Sequence, residues 1–413
     1  MSNSVTYDVV VVGGGPAGLM AAIAAGSAGR RTLLCEKMPS PGRKLLLTGN
    51  GRCNLTNTGD REQFIGHFSA TGPFLRNCFA AFFNDSLRAF FTALGVRLRE
   101  EEGGKIYPAS GKARDILGAL LHAAQKNGVA VRPGEEIAEI IVRDGAAAGV
   151  VTARSGAIAA AKVVVCAGGM TYPQTGSSGS GYELARRCGH RIVEPRPALA
   201  PLYSDDPAVA GLQGVSLRNV EARVTDGARI HGADTGDILF THNGLSGPAA
   251  LNVSGDVYDH LRGGAHISLL LNFRPGTGVE GYEKLIAAAA AENPVKSVKN
   301  LLRMFFPDRF AAAFVAACGV DGERKASQVS REDRRKIAER LFGFRIMLRG
   351  TGGAGEAMVT RGGVSVDEVN PKTMESKLVK RLHFAGELLD IDGKSGGYNL
   401  QAAFSTGYAA GMA

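Results

Sequence analysis

The chain lacks a hydrophobic run long enough to cross a membrane, and its cysteines are not paired in sequence. The valines Val9–Val12 fall far short of the roughly 20 apolar residues that a spanning helix needs. They are also too few for the core of a secretory leader. Met1-Ser2-Asn3-Ser4-Val5 carries no positive charge, so no leader is expected. The cysteines at 35, 53, 78, 166, 188 and 318 form no C-x-x-C. That argues against a dithiol redox centre and a structural zinc site, and for reduced thiols in a cytoplasmic protein. No metal site is expected.

A second complete nucleotide fingerprint is also missing. Gly350-Thr351-Gly352-Gly353-Ala354-Gly355 fits G-x-G-x-x-G in form. It lacks the long helix and the distant acid that the motif needs, and reads as a linker turn. Gly393-Lys394-Ser395 has Leu388 where a P-loop needs glycine. Gly393-x-Ser395-x-Gly397 resembles a nucleophile elbow, but no histidine follows it to complete a triad.

Charge is uneven. The net is +9, and between Lys296 and Arg349 13 Lys/Arg face 6 Asp/Glu, a net of +7. A nucleic-acid surface would need stacking aromatics among those bases. The phenylalanines here fall at core-like spacings, so a solvated helical face is the simpler reading and no nucleic-acid partner is expected.

What is present begins at Tyr7. The run Tyr7-Asp8-Val9-Val10-Val11-Val12 reads as a buried strand, followed by Gly13-Gly14-Gly15-Pro16-Ala17-Gly18 and a small-residue helix. Gly13 allows a tight turn, Gly15 lets backbone approach a pyrophosphate, and Gly18 lets the helix lie close on the strand. The helix N-terminus offers free N–H groups to phosphate. A second strand, Thr32–Glu36, ends in a carboxylate able to accept ribose hydroxyls. These features predict dinucleotide binding, with NAD and FAD equally served by this motif alone.

A second strand-to-glycine passage, Val163-Val164-Val165-Cys166 into Ala167-Gly168-Gly169, could set backbone against a flat or phosphorylated ligand. Near the C-terminus a strand delivers Ala385-Gly386-Glu387, and a glycine turn leads into an apolar helix from Tyr398. Such a helix N-terminus suits the pyrimidine edge of a flavin. Helices are expected over Pro73–Leu94, Lys112–Asn127, Gly181–Cys188, Leu285–Ala291, Val298–Phe305, Ala311–Ala317, Arg331–Phe342 and Tyr398–Gly411. Strands are expected over Val129–Arg132, Glu136–Arg143, Ala147–Thr152 and Val163–Cys166. Prolines at 195, 197 and 201 mark a change to short β-like pieces. The expected organisation is α/β: a discontinuous nucleotide domain of residues 1–194 and 359–413, a β-barrel-like module of 195–274 with about 343–358, and a helical module of 275–342.

His242, in Phe240-Thr241-His242-Asn243-Gly244, is the candidate catalytic residue as a general acid or base. Tyr172 and Tyr398, beside glycine turns, are either proton donors or ring-packers. Cys53 lies in a glycine-rich loop, where a packing role outweighs chemistry.

These segments together resemble a known family. Gly42-Arg43-Lys44-Leu45, Gly49-Asn50-Gly51-Arg52-Cys53-Asn54-Leu55-Thr56-Asn57, Tyr107-Pro108-Ala109-Ser110-Gly111-Lys112-Ala113, Phe240 to Pro248, and Phe384-Ala385-Gly386-Glu387 with Gly396-Gly397-Tyr398-Asn399-Leu400-Gln401 look like the bacterial flavoproteins known as aminoacetone oxidases or 3-dehydro-bile-acid reductases. The resemblance implies a Rossmann-like FAD domain, interrupted by β-barrel-like and helical modules. It implies that Gly13, Gly15, Ala17 and Gly18 meet the pyrophosphate, with Pro16 also a candidate cofactor-binding residue, and that Glu36 holds the adenosine ribose. It places Lys37, Arg43 and Lys44 near the nucleotide and Ile137 against the adenine. Gly51, Arg52, Cys53 and Asn54 would line the flavin side, and Thr48, Ala167, Gly168 and Gly169 are further candidate cofactor-binding residues. Gly386, Glu387 and Asp390 would face the ribityl and phosphate region, and Gly397, Tyr398, Asn399 and Leu400 the ring. No histidine lies between 37 and 66, so the FAD is expected to be non-covalent. The implied activity is an FAD-dependent oxidoreductase passing a hydride between flavin N5 and a small-molecule substrate, with NAD(P)H a possible transient donor. An FAD-containing RNA-modifying enzyme and an FAD-binding redox regulator are the alternatives. The substrate does not follow from the resemblance, because its members carry out dissimilar reactions.

Overall fold

The computed structural model describes residues 7–413; the side chain of Ala208 and the residues read above for a leader lie outside the described set. The chain forms two compact units. One runs to Pro197 and resumes at Met358–Ala413; the other is Ala198–Ala357.

The first unit is built on a parallel sheet. Tyr7–Val12 pairs in parallel with Thr32–Glu36 on one side and with Gly156–Val165 on the other. Ala130–Pro133 extends the sheet beyond Thr32–Glu36, and Leu382–Phe384 adds in parallel to the end of Gly156–Val165. The antiparallel strands Ile137–Arg143 and Ala146–Thr152 hang on the first half of Gly156–Val165. Val9, Val10 and Val11 are fully buried, as expected where helices cover both faces of a parallel sheet. The chain crosses to opposite sides of Tyr7–Val12, which leaves a crevice at the carboxyl ends of these strands.

Two helices of small residues pack there. Pro16–Ser27 has proline in its first turn and is buried from Ala17 to Ala25. Tyr398–Met412 lies against it, and side chains at Gly407 and Gly411 would collide with the carbonyl oxygens of Ala17 and Ala21. This close approach explains the alanine and glycine content of both helices. The last carbonyls of the C-terminal helix are satisfied by cations. Lys162 Nζ donates to Ala410 O at 2.9 Å and Arg30 Nη1 to Gly411 O at 2.8 Å, a favourable placement at the negative end of the helix dipole.

The helix expected over Pro73–Leu94 is broken. Arg76–Ala81 and Asn84–Ala93 are separate helices with Phe82 and Phe83 extended between them. The cause is tertiary: Ser405 Oγ donates to Phe82 O at 2.6 Å, diverting that carbonyl from a helical ladder. The strand expected at Val163–Cys166 begins earlier, at Gly156.

The second unit holds a seven-stranded antiparallel sheet. Phe344–Leu348 pairs with Ile267–Asn272, and two residues on Gly350–Thr351 pairs with Leu202–Tyr203. One chain segment therefore supplies both ends of the strand order, and the sheet closes on itself in a barrel-like form. Gly350–Thr351 is thus a strand, where the sequence reads as a linker turn. Between Asn272 and Phe344 lie the helices Val279–Glu292, Val298–Leu302, Asp308–Cys318 and Arg331–Phe342. Phe310 and Phe314 of the helix Asp308–Cys318, with Phe306 just ahead of it, pack on Phe273, and Phe310 and Phe314 also meet Phe344.

Candidate functional site

The glycines of the first turn divide by role. Gly13 has φ +99°, and a methyl added there would lie 2.5 Å from Cys166 O. A side chain on Gly18 would strike Gly13 O. Both glycines are required by the fold. Gly15 is different: its φ of −77° suits any residue, and an added methyl would meet nothing within 4 Å. Neither conformation nor packing explains the glycine. It caps a helix N-terminus with no side-chain cap, which leaves open space and free N–H groups for an anionic ligand.

Glu36 flanks this turn and is 9% exposed. Gly14 N donates to its Oε2 at 2.7 Å and Met38 N to its Oε1 at 2.8 Å. Two N–H groups fix the carboxylate, and each oxygen keeps acceptor capacity for a diol. Lys37 Nζ donates to Ser178 Oγ at 2.6 Å, which brings it to the segment after Gly169. Glu135 N donates to Glu36 O at 2.9 Å, so the strand opening at Ile137 starts two residues from a neighbour of Glu36. Gly168 has φ +75° and Cys166 N donates to Val12 O, which seats Ala167 beside Gly13.

The loop from Pro41 to Asn57 is anchored at both ends. Gly42 N donates to Gly14 O at 2.9 Å. At the far end Asn57 Nδ2 donates to Gly396 O at 2.9 Å, and Thr56 Oγ1 donates to Gln401 Oε1 at 2.7 Å. Gly397, with φ +95°, sits so close that an added methyl would lie 2.5 Å from Thr56 O. The loop and the start of the C-terminal helix thus form one rigid wall. Asn54 Oδ1 in this wall is buried with no hydrogen-bond partner, an acceptor that fits an N–H or O–H of a ligand.

Other side chains of the wall serve the protein. Cys53 has φ +59° and is fully buried, and burial pushes its thiol up to about 12. It is therefore a neutral thiol at physiological pH. Arg52 donates to Glu101 at 3.0 Å and lies over the Tyr107 ring at 4.3 Å. Thr48 Oγ1 donates to Leu45 O at 2.7 Å. The Tyr398 ring stacks on His67 at 4.2 Å and packs edge-on to Phe64. Asn399 staples the preceding turn, accepting from Gly393 N and donating to Gly393 O. Leu400 is partly buried against the core. Arg43 is exposed.

A polar cluster joins the two ends of the chain. Gly386 abuts Ala17 in the first helix, an added methyl lying 2.7 Å from its Cβ. The next residue, Glu387, accepts from Lys44 Nζ at 2.8 and 3.0 Å and from Thr360 N at 2.8 Å. Thr171 completes the group, accepting from Lys44 Nζ at 2.7 Å. Thr171 and Thr360 are fully buried. Sequence reasoning missed both, since nothing local marks them. Asp390 is half-buried; burial, then the charge of Asp392, holds its carboxyl above the usual range.

His242 belongs to the second unit. It is exposed at the tip of the hairpin joining Ile230–Thr241 to Gly244–Ser246. Tyr172 has φ +53° at the start of a short turn. In the basic segment Phe305 is 61% exposed, against the expectation that its phenylalanines are core. Several bases there pair with acids, among them Arg324 with Asp333 and Lys336 with Glu332. No group of His, Cys, Asp and Glu that could hold a metal occurs among the described residues, and no helix among them is long and apolar enough to cross a membrane.

The open flank of Gly15, the fixed carboxylate of Glu36 and the orphaned Asn54 oxygen fit FAD. Comparison with known proteins agrees. Residues 7–413 match the family described as HI0933-like protein Rossmann domain. The chain is 29% identical over 410 residues to a ribosomal RNA dihydrouridine synthase of Escherichia coli, covering 98% of this chain and 96% of that one. It is 30% identical over 408 residues to a 3-dehydro-bile acid delta(4,6)-reductase of Clostridium scindens, covering 98% of each. Among solved structures it resembles a 3-ketosteroid delta1-dehydrogenase from Sterolibacterium denitrificans, with a TM-score of 0.53, 14% identity and 98% of each chain covered, a likeness of fold. The chain belongs to the HI0933-like Rossmann family and is an FAD-dependent oxidoreductase.

Proposed function

We propose that the protein reduces a carbon–carbon double bond conjugated to a carbonyl in a small organic substrate, drawing the hydride from NAD(P)H through non-covalent FAD. The observation that carries the cofactor placement is Gly15, a glycine that neither backbone angle nor packing demands, at an uncapped helix N-terminus. The names of two relatives, a ribosomal RNA dihydrouridine synthase and a 3-dehydro-bile acid delta(4,6)-reductase, support this substrate class.

Bound FAD supplies the hydride chemistry that no side chain can perform. The protein's part is orientation, charge and protons. Gly13, Gly15, Ala17 and Gly18 would hold the diphosphate, and Glu36 would accept from the adenosine ribose. Glu387 and Asp390 would face the ribityl and phosphate region. The wall made by Gly51 to Asn54 and Gly397 to Leu400 would bound the ring, with the helix N-terminus at Tyr398 favouring negative charge there. His242 is proposed as a general acid or base from its place in the loop Thr241-His242-Asn243-Gly244 alone. His242→Ala should keep FAD and lower turnover about a hundredfold or more; unchanged turnover removes that role. A cytoplasmic setting suits six cysteines that are all free among the described residues.

A second reading, a uridine within RNA as substrate, is favoured by one observation. Phe305 stands exposed in the segment of net +7, and an aromatic among bases is a stacking platform. One experiment separates the two readings. The protein is incubated with NADPH and either a set of cyclic enones and 3-oxo-4-ene steroids or ribosomal RNA, and products are weighed by mass spectrometry. Gain of two hydrogens by an enone supports the first reading, and gain on a uridine alone supports the second. NADPH consumption with neither product contradicts both.

A further inference from the structure

The loop that carries Asn54 is bonded without it. Cys53 N donates to Thr48 O at 2.9 Å, Ala113 N to Gly51 O at 2.8 Å and Leu55 N to Ile106 O at 2.8 Å. The loop's own turn, the helix Ala113–Lys126 and the strand Lys105–Pro108 therefore hold the residues on either side of Asn54. Asn54 makes none of these bonds. Its side-chain oxygen is buried with no partner, and its main-chain N–H has no main-chain acceptor among the described residues. A buried acceptor left unpaired is costly to the protein unless a ligand brings the donor.

The chemistry of an isoalloxazine ring narrows what that donor is. Of the polar atoms on the oxidised ring, only N3 carries a hydrogen, and the carbonyls on either side of it accept. A residue that leaves both an acceptor and a donor unpaired is the complement of this imide edge. We propose that Asn54 is a specificity-determining residue for the flavin, its Oδ1 accepting from N3–H of bound FAD. This rests on the placement of the ring against the wall proposed above.

The test compares FAD with its N3-methyl analogue, which has no hydrogen at N3. Both are titrated into apoprotein and binding is read from flavin fluorescence. Wild type should prefer FAD by about tenfold or more, the loss expected when a buried acceptor is left without its donor. Asn54→Leu, close to asparagine in size, should bind FAD about tenfold more weakly and narrow that preference by about tenfold. Its apoprotein should melt no lower than wild type, because the oxygen removed has no partner in the fold. A methyl that merely collides with the site would leave the preference unchanged in the variant, and that result overturns the proposal. Equal affinity of wild type for the two flavins overturns it as well. So does an Asn54→Leu apoprotein that melts clearly lower or does not fold, since the oxygen then serves the protein. Wild-type apoprotein that takes up neither flavin removes the ring placement itself, and the proposal with it.

Discussion

Thr56 Oγ1 lies 2.7 Å from Gln401 Oε1, and both side chains are fully buried. The bond links residues 345 positions apart and ties the loop of the first unit to its last helix. Gln401 Nε2 donates onward to Ser405 Oγ, which donates to Phe82 O. Thr56→Val should leave Gln401 Oε1 without a donor and destabilise the protein by about 1–3 kcal/mol. Urea denaturation of the apoprotein measures this, and the same variant should release FAD more readily. Stability equal to wild type would show that the chain of bonds carries no energy.

The two roles of glycine in the first turn separate cleanly by experiment. Gly15→Ala adds a methyl into open space, so the apoprotein should melt within about 0.5 kcal/mol of wild type and lose FAD affinity. Gly18→Ala puts a methyl into Gly13 O, so it should lower apoprotein stability by several kcal/mol or prevent folding. Reversal of this order would contradict the assignment.

Cys53 should be inert. Burial raises its thiol to about 12, and only the thiolate reacts readily. Iodoacetamide at pH 7.5, followed by peptide mapping, should leave Cys53 unmodified in the folded protein. Labelling of native protein would show the loop to be open.

Lys162 and His383 predict a pH dependence of stability. Burial, then the charge of Arg30, pushes the Lys162 amine down to about 8, with Glu375 opposing. Between about pH 8 and its ordinary 10.5 the unfolded chain binds more protons, so stability rises with pH in that window, by up to about 3 kcal/mol. Burial, then the charge of Lys162, pushes His383 down to about 3. From its ordinary 6.5 down to about 3 the unfolded chain again binds more protons, so stability falls as pH drops. Lys162→Met should abolish the alkaline rise and His383→Leu should flatten the acid fall, both read from urea midpoints across pH. An alkaline rise that survives Lys162→Met would assign it to another group.

The parts of the site legible in the sequence are those made by neighbours in the chain. Gly13, Gly18 and Glu36 sit in one strand–helix–strand unit, where local spacing carries the geometry. Tyr398 adjoins a glycine turn and Asn399 lies in the stretch that the family resemblance sets against the flavin ring, yet the ring packs on His67 and the amide staples Gly393. Spacing shows where a residue lies and not where its side chain goes. The pairs Lys44–Glu387 and Thr56–Gln401 join the two ends of the chain, and no periodicity records them. The break at Phe82 was hidden for the same reason: Ser405, which takes its carbonyl, is 323 residues away. Gly407 and Gly411 read as ordinary helix residues until the Pro16–Ser27 helix is seen against them.

FAD in this protein is proposed to carry a hydride from NAD(P)H to a conjugated double bond. Anaerobic stopped-flow spectroscopy tests it most directly. Mixing with NADH or NADPH should bleach the visible flavin absorbance, and a second mix with an enone should restore it without oxygen. Flavin that neither nucleotide bleaches, or that only oxygen restores, would contradict the account.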